Sequence, residues 1–293
     1  MAITASQVKE LRERTGAGMM ECKRALVETD GDIDIAIENL RKSGLAKADK
    51  KASRVAAEGV VAISVSEEGS RGVMVEVNCE TDFVAKGDEF VEFADQVAAT
   101  ALVNTPADVE TLSAMTLVGG SATVELRRQE LIAKLGENMT VRRFSMVDSE
   151  GGVVGYYSHG GRIGVMTAIQ GGDAVLAKDV SMHVAASRPV ALSEADIPAD
   201  VLEKEKEIFS AQALESGKPE AIVEKMVTGR MKKFVNEITL LGQPFVKDPD
   251  QSVAKLMDSQ SAKIVQFSRL EVGEGIEKKE ENFADEVMAQ VNG

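Results

Sequence analysis

The chain of 293 residues contains no tryptophan, two cysteines, two histidines and two tyrosines. Two cysteines cannot build a disulfide scaffold, and two histidines leave His-based metal sites and triads few parts. Aromatics make up only 4%, so a core must come from Val, Ile, Leu, Ala and the 13 Met. No run approaches the ~18–20 apolar residues of a membrane span, and residues 1–16 lack the apolar stretch of a secretory signal. No Gly-rich turn leads into Gly-Lys-Ser/Thr, and no dinucleotide fingerprint follows a strand. Positive charge is also short, 34 Lys+Arg against 48 Asp+Glu, net −14, which argues against a general nucleic-acid binder. What is present is ordinary for a globular protein, with 44% hydrophobic and 28% charged residues. The length suggests roughly two domains. The expectation is an acidic cytoplasmic protein of several modules, with no membrane and no direct nucleic-acid partner.

The charge is uneven. Residues 1–54 hold eleven Lys or Arg and nine Asp or Glu, 11 − 9 = +2, which leaves −16 for the rest. Arg41, Lys42, Lys47, Lys50, Lys51 and Arg54 oppose only Asp49. No aromatic is interleaved to stack on bases, so the run reads as a solvated tether after a helix capped at Gly44. Ahead of it lie three short helices. Thr4 and Gln7 form a capping-box pattern before Val8 and Leu11; Met19, Met20, Ala25 and Leu26 mark a second helix after the turn 15–18; Ile33, Ala36, Ile37 and Leu40 mark a third. So small a module buries little alone, so it docks on something. Met19 and Met20 read either as core filler or as an adaptable binding surface.

A repeat then sets the architecture. Gly59-Val60-Val61 is echoed by Gly152-Val153-Val154, Gly72-Val73-Met74 by Gly164-Val165-Met166, and Val97-Ala98-Ala99-Thr100 by Val184-Ala185-Ala186-Ser187. Ala133-Lys134-Leu135 and Phe144-Ser145 recur as Ala254-Lys255-Leu256 and Phe267-Ser268. Each copy reads as hairpin, helix, further helix and strand. The fold class is α+β, with two repeated antiparallel-sheet and helix subdomains as the core. Met74 to Val97 is 97 − 74 = 23 positions and Met166 to Val184 is 184 − 166 = 18, so the first copy carries five extra residues within 78–87. The second copy carries an insertion with helical runs over 201–214 and 221–240, a hairpin projecting from the core. The division that follows is 1–55, the N-terminal module with its tether; 56–150, the first core subdomain; 151–190 with 240–275, the second; 191–239, the inserted hairpin; and 276–293, a short C-terminal helix bearing Phe283, Val287 and Val291.

Candidates for chemistry are few. Cys22 and Cys79 lack zinc-site spacing. Cys79 could be a nucleophile with a histidine base, but nothing places either histidine beside it, and a strand-end cysteine reads first as packing. His183 falls on an apolar helix and reads as a satisfied buried histidine. His159 lies in the hairpin turn 156–161, where an exposed ring can meet a partner. For the five-residue excess two readings stand. Either Thr81 or Asp82 caps the helix and Phe83 folds back onto the core, or the loop presents Phe83 as a wedge to another protein.

Residues 11–23, running Leu11-Arg12-Glu13-Arg14-Thr15-Gly16-Ala17-Gly18-Met19-Met20-Glu21-Cys22-Lys23, resemble the first signature of the bacterial elongation factor Ts family. Glu76-Val77-Asn78-Cys79-Glu80-Thr81-Asp82-Phe83-Val84-Ala85 resembles its second. The similarity continues through His183-Val184-Ala185-Ala186, Gly229-Arg230-Met231-Lys232-Lys233-Phe234 and Gly242-Gln243-Pro244-Phe245-Val246. Departures are Glu80, where the family usually has Gln, and Asp49 in a tether usually of Ala and Lys. The resemblance implies a UBA-like N-terminal module and a non-enzymatic guanine-nucleotide exchange factor for the GTPase elongation factor Tu in translation elongation. It implies no cofactor of the chain's own, since the chain acts on the partner's Mg2+ and GDP. It places Thr81, Asp82, Phe83 and Val84 beside the partner's magnesium site, with Phe83 as wedge. It implies further contacts from Lys9, Arg12, Met19 and Met20, from Leu135 and Gly136, and from His159 near the phosphate-binding loop. In some members the core or helical hairpin self-associates, implying a homodimer and a heterotetramer with the GTPase.

Overall fold

A computed structural model describes residues 3–215 and 217–277; the helix expected over 276–293 lies almost wholly outside them. The chain opens with α1 (Ala5–Thr15), α2 (Met19–Glu28) and α3 (Ile33–Lys51). Thr4 and Gln7 do form a capping box: the Gln7 amide donates to Thr4 Oγ1 and the Thr4 amide to Gln7 Oε1. Gly16 ends α1 in the left-handed conformation, φ 67°. Leu11, Cys22, Leu26 and Ala36 are buried where the three helices meet.

α3 does not stop at Gly44. It runs on to Lys51, so most of the expected tether is helix. A mid-helix glycine costs about 1 kcal/mol against alanine, but packing offsets this. Gly44 is buried against α7 (Val124–Leu135), where a Cβ would sit 3.5 Å from Ala133 Cβ, and Ala48 is buried one turn later. The N-terminal module therefore docks on the core along α3.

The first sheet has the order β1-β2-β3, all antiparallel: β1 (Glu58–Val65), β2 (Arg71–Cys79) and β3 (Met139–Asp148). Between β2 and β3 come α4 (Asp82–Ala85), α5 (Asp88–Asn104), α6 (Val109–Ala114) and α7. The second sheet repeats the order with β4 (Val153–His159), β5 (Ile163–Gln170) and β8 (Lys263–Glu271), and α8 (Ala174–Ser187) lies behind it. Central strands buried on both faces read as continuous apolar runs. On β2, Val73, Val75, Val77 and Cys79 turn toward α5 with its buried Phe90 and Phe93, and Met74 turns the other way.

That other face is the second sheet, and the echoed Gly-Val-Met triplets show how the two meet. A Cβ on Gly72 would lie 2.7 Å from Met166 Sδ; a Cβ on Gly164 would lie 2.5 Å from Val61 Cγ1 and 3.1 Å from Met74 Sδ. Each copy's glycine makes room for the other copy's methionine. Glu76, fully buried on the same face, accepts from Arg143 Nε (2.6 Å), Gly273 N (2.8 Å), Arg142 Nη1 (3.0 Å) and Asn78 Nδ2 (3.1 Å). Burial opposes its ionisation, yet the Gly273 amide and then the arginines and Asn78 outweigh this and hold the carboxyl below its ordinary range.

The insertion in the second copy contains α9 (Ala199–Leu214) and α10 (Glu220–Ile238), joined by a T-shaped contact of Phe209 and Phe234 at 6.2 Å. Sequence reading missed the small hairpin β6 (Pro244–Phe245) and β7 (Asp248–Ser252), which precedes α11 (Val253–Ser259). His183 supports it. Its Nδ1 accepts from Val246 N at 3.1 Å, so Nε2 carries the proton toward Gln243 Oε1 at 3.0 Å. Burial pushes its pKa down, so it is a satisfied neutral core histidine. Among the described residues no helix is long and apolar enough to cross a membrane.

Candidate functional site

The extra residues of the first copy can be located directly. Eight residues (80–87) separate β2 from α5 and three (171–173) separate β5 from α8, and 8 − 3 = 5. The longer segment holds α4, a helix of four residues. Isolated helices below about 12–15 residues are marginal, so α4 depends on its anchors. Thr81 is its N-cap, with Oγ1 accepting from Val84 N at 3.4 Å. Glu137, just beyond α7, accepts from Thr81 Oγ1 at 2.6 Å, Thr81 N at 3.0 Å and Glu80 N at 3.2 Å. Glu80 answers by accepting from Asn138 N at 2.6 Å.

These anchors split the four expected contact residues. Val84 packs against the first core cluster and Ala85 is buried. Thr81 is occupied by Glu137 and the cap. Asp82 faces water and holds Lys86 Nζ at 2.7 Å; that hydrogen bond, and then the lysine's charge, lower its pKa. Phe83 is 84% exposed. Of the two readings of the loop, the one with Phe83 folded onto the core is excluded. A large aromatic held outward on a pinned turn leaves most of its apolar surface in water.

The neighbouring surface is joined to this loop by contacts. α7 ends at Leu135, 36% exposed, and Gly136 caps it in the left-handed region at φ 83°. The Gly136 carbonyl accepts from Lys51 at the end of α3. The α1–α2 turn lies over the same helix end, since a Cβ on Gly16 would be 3.8 Å from Lys134. Lys134 itself pairs with Glu89 at 2.7 Å, at the start of α5. From that turn Met19 and Met20, 58% and 75% exposed, open α2. They are therefore surface, and the core-filler reading fails. Lys9 and Arg12 are exposed on α1, with Lys9 3.7 Å from Glu13. His159 ends β4, exposed, with Nδ1 3.1 Å from Tyr157 Oη. Its turn is tied to the start of β1 by Val61 N donating to Gly161 O at 2.8 Å and by the Arg162–Glu58 ion pair. Glu58 pairs in register with Cys79, the residue before the loop. A chain of contacts thus brings the α1–α2 turn, the end of α7, the 80–87 loop and the β4–β5 turn to one end of the core.

Cys79 has no nucleophile's environment. Its thiol is fully buried, donates to Thr81 O at 3.2 Å, and is pushed up to about 12 by burial and the nearby carboxylates of Glu137 and Glu58. Among the described residues no three His, Cys, Asp or Glu side chains converge to hold a metal ion.

A family model described as Elongation factor TS matches residues 80–274. The chain is 61% identical over 294 residues to the Elongation factor Ts of Thioalkalivibrio sulfidiphilus (strain HL-EbGR7), with 100% of both chains covered. It is 62% identical over 293 residues to the Elongation factor Ts of Alkalilimnicola ehrlichii, again with 100% of both covered. Against that of Methylococcus capsulatus (strain Bath) it is 62% identical over 291 residues, with 99% of each covered. The chain belongs to the elongation factor Ts family. In this member of the elongation factor Ts family, the matched stretch opens on the residue whose amide Glu137 receives. The N-terminal module, outside that stretch, is covered by the full-length relatives. Sequence reading did not find Glu137, Glu80 or Lys51 as parts of the site, because nothing local marks a contact such as Glu137 to Thr81, 56 residues apart.

Proposed function

We propose that the chain is a guanine-nucleotide exchange factor for elongation factor Tu, promoting GDP release so that GTP can bind during translation elongation. The observation that carries this reading is the outward Phe83 on a helix present in only one copy of the repeat, in a member of this family. Such a protein needs no catalytic groups or cofactor of its own. It need only bind the nucleotide-free GTPase more tightly than the GDP-bound one; by linkage, GDP and the factor then weaken each other equally. Phe83 is the wedge entering beside the partner's magnesium and phosphate site. Asp82 can turn to the partner at low cost, because an exposed ion pair such as Asp82–Lys86 contributes only about 0–1 kcal/mol. Thr81 and Val84 hold the wedge from behind. Leu135, Gly136 and His159 flank it, while Lys9, Arg12, Met19 and Met20 reach the partner from the N-terminal module. Magnesium bridges phosphate to protein, so disturbing its geometry removes a large electrostatic part of nucleotide affinity.

The test is release of a fluorescent GDP from elongation factor Tu with catalytic amounts of the chain. Many exchange events per molecule support the reading. Binding to the GTPase without faster release would leave only a scaffold, and no effect at all would remove the partner.

A further inference from the structure

We propose that Glu137 is a positioning residue for exchange, acting through Thr81 to hold Phe83 in its outward pose. The inference rests on the exchange reading above. One carboxylate gathers three donors from the start of the loop: the amides of Glu80 and Thr81 on Oε2 and the Thr81 hydroxyl on Oε1. By donating its hydroxyl proton to Glu137, Thr81 keeps an oxygen lone pair for Val84 N, the cap of the helix that carries Phe83. The link is reciprocal, since the Asn138 amide donates back to Glu80 Oε1 at 2.6 Å. Asn138 Nδ2 extends it to the Arg54 carbonyl at 2.8 Å, beyond the end of α3. The second copy, which has no α4, has only the three residues 171–173 at the corresponding place. Glu137 is partly buried, and its carboxylate oxygens are engaged by the backbone and hydroxyl of the loop, so the route to a partner runs through the loop. Charge-assisted hydrogen bonds of this kind are about twice as strong as neutral ones, and displacing a working group by about 1 Å can cost about 100-fold in rate.

The test is a double-mutant cycle on catalysed GDP release, read as kcat/KM for exchange, using the full chain and elongation factor Tu. Glu137→Ala is expected to slow exchange about tenfold or more while the protein melts cooperatively and α1–α3 stay folded. Glu137→Gln keeps a carbonyl acceptor for the two amides and is expected within about threefold of wild type. In the Phe83→Ala background, Glu137→Ala should add less than about twofold, because the group it positions is gone. Independent, multiplying effects of the two substitutions would overturn the proposal, as would wild-type exchange by folded Glu137→Ala. If Glu137→Ala does not fold, Thr81→Ala cuts the same link from its other end and takes its place in the cycle. Amide hydrogen exchange at Glu80 and Thr81 reads the clamp without the GTPase, and about tenfold faster exchange in the variant is expected. Unchanged amide protection would overturn the clamp. Failure of the wild-type chain to release GDP would instead overturn the exchange reading, with the clamp still read from the amides.

Discussion

Replacing Phe83 with alanine separates folding from function more sharply than any other substitution at this site. The side chain is 84% exposed, so its removal takes almost nothing from the folded chain, and stability should move by no more than about 0.5 kcal/mol. The same exposure means that nearly the whole burial energy of a phenylalanine, about 1.5–3 kcal/mol, remains to be collected by a partner. At about 1.4 kcal/mol per factor of ten, exchange should fall roughly 10- to 150-fold in kcat/KM. Phe83→Leu, which keeps an apolar body, should fall between the two. The assay is fluorescent GDP release at several factor concentrations, with a thermal melt of the same preparations. Wild-type kcat/KM in the alanine variant would refute the wedge. A melting point lowered by many degrees would refute the claim that Phe83 lies outside the fold.

Three further outcomes follow from the core. Cys79, with a thiol pushed up to about 12, should resist iodoacetamide at pH 8 in the native chain and react on unfolding; stoichiometric native alkylation would contradict its burial. Gly164→Ala should destabilise by about 1–3 kcal/mol, since the new methyl meets Val61 at 2.5 Å, and a variant melting like wild type would show that the sheets do not meet as described. Glu76→Ala leaves Arg142 and Arg143 without their buried acceptor and should cost about 3–5 kcal/mol in denaturant titration. Because the folded pKa of Glu76 is depressed, its stabilisation is present above the unfolded value near 4.3 and is lost as pH falls through the lower folded value. Glu76→Gln should flatten that acid limb, and an unchanged acid profile would count against the network.

Much of the core was legible because its cause is local or repeated. Thr4 and Gln7 lie within one turn, and the Gly-Val-Met echoes, read as a repeat of hairpin, helices and strand, prove to be the contact surface between the sheets. The five-residue excess located α4, although only the structure shows Phe83 outward and Val84 inward. What escaped depends on distant partners. Gly44 looks like a helix end until Ala133 is placed against it. The hairpin β6–β7 gives no alternating apolar signal of its own, and it is held by His183, 63 residues upstream of Val246. Glu137 looks like any surface acid after a glycine cap.

The second sheet is completed late. β8 pairs with β5, and 263 − 170 = 93 positions separate the end of one strand from the start of the other. At about 5–20 residues per second, a ribosome needs roughly 5–20 s to cross that interval. Throughout it β5 has a bare edge, the kind of template that recruits foreign strands. The first sheet, whose members are all synthesised earlier, has its third strand by then and can offer Met74 and Val61 as a surface on which the unfinished hairpin β4–β5 settles. The apolar join between the copies would thus serve first as a holding place during synthesis, before it becomes the centre of the finished core.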